Sequence, residues 1–264
     1  MEELARLGEI EQAAAGHGQL IWAAQGQGGE SPGPGVRAWR HGAAWAVASP
    51  NQQQDRLMVQ GDSADAAVLV RRVLEEVGPT YRLLGEAALI DELVRRLPGL
   101  VPVHQFFWME TTSPSGAATS GVRWLDSREE KEAASLFDRF FPDSYAQPGR
   151  AGVRRWAGVV GVVGEEDGGE DGSEDGSVGA EPLAVAADAW SAAGCGFMGG
   201  VFTHPAARGR GLARAVSGYV MDDLVRRHGR AALMVLTGNA PAIATYERLG
   251  MSKHRFGAAH LRAR

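Results

Sequence analysis

The stretch GGVFTHPAARGRGLARAVSGYV, residues 199–220, constrains the chain more than any other. An apolar strand ends at Thr203, a turn carries Pro205, and Arg208, Gly209, Arg210 and Gly211 lead into an amphipathic helix. A strand that feeds a helix through a glycine-rich turn is a unit of α/β architecture. The first N–H groups of a helix have no internal partners, and the helix dipole makes that end positive. Gly209 and Gly211 allow several such groups to converge on one anion, and Arg208, Arg210 and Arg214 add charge. The turn therefore has the makeup of a pyrophosphate cradle.

The same alternation of periods runs through the rest of the chain. Residues 57–60, 81–84 and 101–109 read as strands. A helix capped by Ser63 and another over residues 86–97 lie between them. The run TTSPSGAATSG at 111–121 has linker composition and is the expected boundary between two halves, 1–110 and 122–264. Beyond it, residues 122–125 read as a strand, and Ser127 with Glu130 forms an S-x-x-E box opening a helix with Leu136, Phe137 and Phe140 on one face. Strands are expected at 153–163, 182–190, 196–203 and 231–236, with the long helix at 211–228. Asn239 caps a last helix, with Pro241 in its first turn. The expected class is α/β with a mixed sheet.

Several tempting patterns fail on context. GCGFMG at 194–199 matches a dinucleotide fingerprint but sits inside a strand rather than between strand and helix. GESPG at 29–33 matches a nucleophile elbow but lies in a glycine/proline loop, 24–35. No P-loop and no H-E-x-x-H occurs. Cys195 is the single cysteine, which excludes an internal disulfide framework and a thiolate-rich zinc site. No metal site is expected.

The net charge of −5 comes from 27 basic and 32 acidic residues, and nothing global argues for nucleic acid. The start lacks an apolar signal segment, and no stretch is apolar enough to span a membrane, so a cytoplasmic protein is expected. Eight of the carboxylates lie between Glu165 and Glu181 with no basic residue among them. This segment, 164–182, reads as a mobile acidic insertion. Its spacing does not fit an EF-hand.

Two stretches together resemble the GNAT superfamily of N-acetyltransferases. Arg208, Gly211 and Ala213 match its acyl-CoA signature R/Q-x-x-G-x-G/A, after a strand of the type Val201-Phe202-Thr203-His204-Pro205. NAPAIATYERLGM, with Asn239, Ala242, Tyr246 and Gly250 in register, resembles the second signature, with Met251 replacing its usual Phe. The likeness is sharp over 196–251 and weak before 122. It implies the GNAT fold in the C-terminal half, with the N-terminal half a candidate degenerate copy. It implies acetyl-CoA as co-substrate and direct transfer to an amine, the acceptor being a small molecule or a peptide.

On this resemblance Val201, Phe202 and Thr203 pair their backbone with the pantetheine arm, and a bulge at Gly199-Gly200 offers an N–H to the thioester carbonyl. The turn Arg208, Gly209, Arg210, Gly211, Leu212, Ala213 and Arg214 takes the pyrophosphate. Asn239 holds the pantetheine or only caps its helix. Tyr246 is the candidate acid for the leaving thiolate. No base is evident: the flanking strands, GFMGGVFT and ALMVLT, hold no carboxylate. Asp188, Tyr145 and His204 are the remaining candidates. Cys195 reads as a small buried hydrophobe. The rival reading is a non-catalytic acyl-CoA-binding sensor or partner module. A scaffold whose acidic segment recruits basic proteins is a weaker third.

Overall fold

Apolar residues recur at every second position in the strands and every third or fourth in the helices, and these patterns decide which face of each element is buried. The computed structural model describes residues 1–14, 16–162 and 181–262. Its first half runs β1 (Glu2–Leu4), α1 (Leu7–Ala14), α2 (Gly18–Ala24), β2 (Arg37–His41), β3 (Ala44–Gln52), β4 (Gln54–Gly61), α3 (Ser63–Val77), β5 (Arg82–Glu86), α4 (Ala87–Arg96) and β6 (Leu100–Thr111). Its second half runs β7 (Arg123–Trp124), α5 (Ser127–Phe140), β8 (Val153–Gly161), β9 (Glu181–Ala189), β10 (Gly196–Thr203), α6 (Leu212–His228), β11 (Ala231–Leu236), α7 (Ala240–Arg248) and β12 (Ser252–Leu261). The acidic insertion expected at 164–182 lies outside the described residues, except for Glu181 and Pro182, which open β9.

The second half repeats the first. In each, three antiparallel strands lead through a helix to a parallel fourth: β2–β3–β4 and β5, then β8–β9–β10 and β11. A shorter helix and a long final strand follow. All join one mixed sheet of order β1-β2-β3-β4-β5-β12-β6-β11-β10-β9-β8-β7. The order is nearly palindromic about β12 and β6. The final strands are interleaved: β12 lies between β5 and β6, and β6 lies between β12 and β11. The α/β reading of the second half thus extends to the first, whose element order matches except that two helices, α1 and α2, stand where the second half has α5.

The sheet has helices on both faces. One face packs α3 and α4 around Leu57, Leu69, Val73 and Leu83, and α6 and α7 around Met198, Val216, Leu233 and Tyr246. The other carries an aromatic core in which Trp22, Trp108, Phe197 and Phe256 meet beneath α1 and α2, while Phe137 of α5 packs on Trp156. The segment after β6 has no regular structure, yet it is fixed to α6, where Asp222 accepts hydrogen bonds from Ser115 N at 2.6 Å and Ser115 Oγ at 3.0 Å.

Two expected caps are each one residue off. Asp62, not Ser63, caps α3, accepting from the N–H groups of Ala64 and Asp65. The capping box of α5 is Asp126 with Glu129 rather than Ser127 with Glu130. In both cases the residue before the serine is an aspartate, and its charged oxygen is the stronger acceptor for helix amides. Gly211 likewise stands as the N-cap of α6, which begins at Leu212.

Candidate functional site

The site begins where two parallel strands part. β10 and β11 pair at only two positions, Gly196 with Ala231 and Phe197 with Ala232. Beyond them β10 keeps β9 as its neighbour and β11 keeps β6, leaving a wedge-shaped opening edged by peptide groups without a sheet partner. Peptide groups in such a position seek hydrogen bonds from something else. Val201 is part-buried along this edge. Thr203 Oγ1 is buried and has no partner among the described residues.

A bulge shapes the edge. Gly199 pairs with Ala187 and Phe202 with Val185, so one extra residue of β10 is accommodated. Gly200 has φ +62°, a left-handed conformation natural to glycine. The extra residue reverses the alternation of side chains. Met198 faces α6, whereas Phe202 faces the opposite core, with ring centroids 5.6 Å from Phe137 and 6.2 Å from Phe140. Without the bulge, Met198 and Phe202 would share a face. A Cβ at position 200 would overlap the Trp156 ring and lie 3.1 Å from Ala146 O. Gly200→Val is therefore expected to destabilise the fold by about 2–4 kcal/mol from backbone strain and overpacking, which a urea titration measures.

Below the opening lies the helix start. Gly209 and Gly211 have φ +80° and +77°, and no side chain caps α6. A Cβ at either glycine would meet nothing within 4 Å, so the surface above the turn is open. Arg208, Arg210 and Arg214 are exposed around it, while Leu212 and Ala213 are part-buried. The corresponding start of α3 is closed. Asp62 fills it with a carboxylate, and the Asp65 carboxylate in the first turn accepts from Ala43 N at 2.8 Å. An anion is repelled from that end and attracted to the other.

The remaining sequence candidates divide clearly. Asn239 Oδ1 accepts from Ala242 N at 3.3 Å and so caps α7. Tyr246 is 6% exposed and belongs to the cluster that includes Met198 of β10 and Val235 of β11. Burial pushes its phenol up from the usual range, holding it neutral. Among the described residues its hydroxyl has no hydrogen-bond partner. Asp188 is fully buried and engaged, accepting from Ser191 Oγ at 2.5 Å and Arg227 Nη1 at 2.9 Å. Arg155 also faces it at 3.6 Å. His204 Nδ1 accepts from Ala206 N at 3.3 Å and caps the turn before Arg208. Tyr145 is 42% exposed, and its hydroxyl accepts from Arg82 Nη1 at 3.2 Å. Cys195 is buried, and burial pushes its thiol up, away from the nucleophilic thiolate form.

Among the described residues no group of His, Cys, Asp and Glu is placed to hold a metal, and no helix is long and apolar enough to cross a membrane. Residues missed in the sequence also approach the opening. Arg56 and Arg82 come from β4 and β5, and His104 from β6. Their only sequence signal is a basic residue two positions before an inward apolar one: Arg56 before Met58, Arg82 before Leu84 and His104 before Phe106.

Residues 176–258 match the family of FR47-like proteins. Among solved structures, a GCN5-related N-acetyltransferase from Kribbella flavida is similar, with a TM-score of 0.58, 18% identity and 96% of each chain covered. A GCN5-related N-acetyltransferase from Sphaerobacter thermophilus gives 0.52 at 17% identity, over 84% of this chain and 78% of that one. A putative GNAT-family acetyltransferase from Novosphingobium aromaticivorans gives 0.50 at 18% identity, over 85% and 91%. No curated protein matches. In sequence over its FR47-like segment and in fold over nearly its whole length, the chain resembles the GNAT superfamily of N-acetyltransferases.

Proposed function

We propose that the protein transfers an acetyl group from acetyl-CoA to a primary amine by direct attack in a ternary complex. The observation that carries this reading is the parting of β10 from β11 beside an uncapped helix start. On this reading the amides of Leu212, Ala213 and Arg214, with Arg208 and Arg210, hold the pyrophosphate. The edge Val201–Phe202–Thr203 holds the pantetheine arm through its backbone, and Asn239 contributes at most its free amide nitrogen. Phe202 contributes no side chain, since its ring lies in the core.

The amine nitrogen bonds to the acyl carbon, the carbon–sulfur bond breaks, and sulfur leaves with the bonding electrons. The amine loses one proton and the thiolate gains one. Holding both reactants in the same opening supplies much of the acceleration. An N–H at the bulge stabilises charge on the acyl oxygen, and Tyr246 donates to the sulfur. On this reading the protein works in the cytoplasm, with a small molecule or a peptide as acceptor.

The lack of any carboxylate on β10 and β11 favours a second reading, an acyl-CoA sensor that binds without turnover. Release of free CoA thiol with a panel of amines separates the two. Acetyl-CoA is expected to raise the melting temperature of the wild-type protein by mass action. Gly211→Glu is expected to abolish that shift by placing a carboxylate in the cradle. A shift of unchanged size in the variant would remove the turn from the binding site.

A further inference from the structure

Two arginines of the first half reach the opening of the second. Strand alternation puts Arg56 on the same face as Met58, Arg82 with Leu84, and His104 with Phe106. Met58, Leu84 and Phe106 all belong to the aromatic core, so the three basic residues project on that side of the sheet. Arg56 Nη1 lies 3.9 Å from Met234 Sδ. Met234 stands on β11 beyond Ala232, where that strand has left β10. Arg82 donates to Tyr145 Oη at 3.2 Å. The next residue, Ala146, places its carbonyl 3.1 Å from where a Cβ of Gly200 would stand. Arg56 and Arg82 are register partners on β4 and β5, so the pair sits side by side, with Met234 of β11 against one and Tyr145, next to the Ala146 that lines the bulge, against both.

These arginines carry charge without a counter-charge. Among the described residues neither forms an ion pair with a carboxylate. The Arg56 guanidinium lies 5.7 Å from the ring centres of Trp22 and Tyr145, and its Nε donates to Gln52 O at 3.1 Å. Burial pushes Arg56 down to about 10; Tyr145 opposes this and neighbouring Arg82 adds to it. Burial, then Arg82 and Arg56, push His104 below its usual value as well. Gln52 is 2% exposed, and neither its amide oxygen nor its nitrogen has a partner among the described residues. Unpaired arginines beside an orphaned amide are unfavourable unless an anion joins them.

We propose that Arg56 and Arg82 anchor a carboxylate of the acceptor, so that the amine substrate is a small amino acid held across the join of the two halves. This rests on the acetyltransferase reading above. A guanidinium fork matches a carboxylate in shape as well as charge. The first half, whose own helix start is closed by Asp62, would then supply acceptor recognition while the second binds acetyl-CoA.

The test compares L-amino acids with their carboxamides, which keep the amine and side chain and lose only the carboxylate. Free CoA thiol is measured with each. The amide amine is less basic and more often neutral, so intrinsic reactivity favours the amide. We expect kcat/KM to favour at least one acid over its amide by ~10-fold or more, as suits charge-assisted hydrogen bonds. In Arg82→Gln and in Arg56→Gln that ratio is expected to fall toward one, with the loss in KM for the acid. A merely structural arginine would lower both activities together and leave the ratio intact. Equal turnover of acids and amides by the wild type overturns the proposal and leaves the acetyltransferase reading standing. So does a preference for O-phosphoethanolamine over every amino acid. Calorimetry with glutarate and succinate runs beside the kinetics. If no amine releases CoA, but these dicarboxylates bind the wild type and not Arg82→Gln, the acetyltransferase reading falls and the anion site stands. If neither turnover nor binding is seen, both fall.

Discussion

Tyr246→Phe is expected to lower kcat by ~10²-fold, within the range for loss of a positioned proton donor, while the affinity for acetyl-CoA changes by less than ~3-fold. The reason is differential. A hydroxyl donating to sulfur helps only as negative charge builds there, so its loss acts on the transition state and spares ground-state binding. The ring stays in the cluster formed by Met198, Val216, Ile243 and Leu249, because phenylalanine keeps its shape. Burial holds the phenol neutral, so the proton is available throughout the neutral range. The hydroxyl also has no partner among the described residues, so removing it strands no internal donor or acceptor. Both constants are measured with whichever amine releases CoA. An unchanged kcat would make Tyr246 a core aromatic only. A raised KM with kcat intact would assign it to holding the substrate.

The C-terminal half was legible because its signals are local. The strand, the glycine turn and the helix after it follow one another without a break from Gly196 to His228. The cation-rich end of α6 at Arg226, Arg227 and His228, followed by Gly229 with φ +73°, marks its stop. Other elements carry weaker marks. β3 buries Ala44, Ala46 and Ala48, and alanine has little strand preference, so its alternation reads faintly. β12 opens with four exposed residues, Ser252 to Arg255, before Phe256 enters the core. Its partners, β5 and β6, lie some 140 to 180 residues earlier. No short-range pattern reports such a pairing. α1 and α2 were hidden by their glycines and by the brevity of α2.

The candidate site was legible to the same extent. Gly209 and Gly211 were readable because only a few residue types tolerate their backbone. The bulge was readable from Gly199-Gly200 as a position, and its consequence, the reversed face of Phe202, only from the register. Arg56, Arg82 and His104 were not readable as a group. Arg56 and Arg82 are register partners on the adjacent parallel strands β4 and β5, but the groups they face, Met234 and Tyr145, belong to the second half and meet them only through the shared sheet. The acceptor side of the opening is therefore a property of the tandem arrangement, whereas the cradle belongs to one half.

That interleaving leads to the largest expected effect. The fragments 1–121 and 122–264, produced separately, are each expected to lose cooperative unfolding, and mixing them is expected to restore it. In the intact chain β12 pairs antiparallel with β5 at four positions, Phe256 to Ala259 against Glu86 to Leu83. It also follows β6 from Glu110 to Leu100. Fragment 1–121 loses this strand from between two of its own, so β5 and β6 face a gap. Fragment 122–264 loses β6 from between β11 and β12, where Leu236 to Ala231 pair with Phe106 to Thr111. Each fragment exposes unpaired edges, which favour aggregation over folding. The packing loss is of similar weight. Trp108, 0% exposed, and Phe256, 2% exposed, have ring centroids 6.4 Å apart, and Phe106 lies 5.9 Å from Phe256. Removing a single buried aromatic costs about 3–5 kcal/mol, a large part of a typical domain's stability. Calorimetry on each fragment and on their mixture measures the effect. Two independent transitions, each near the temperature of the intact protein, would show that either half can complete its sheet alone, with β6 moved against β5. The arginines would then stand on a unit that folds without the site they border.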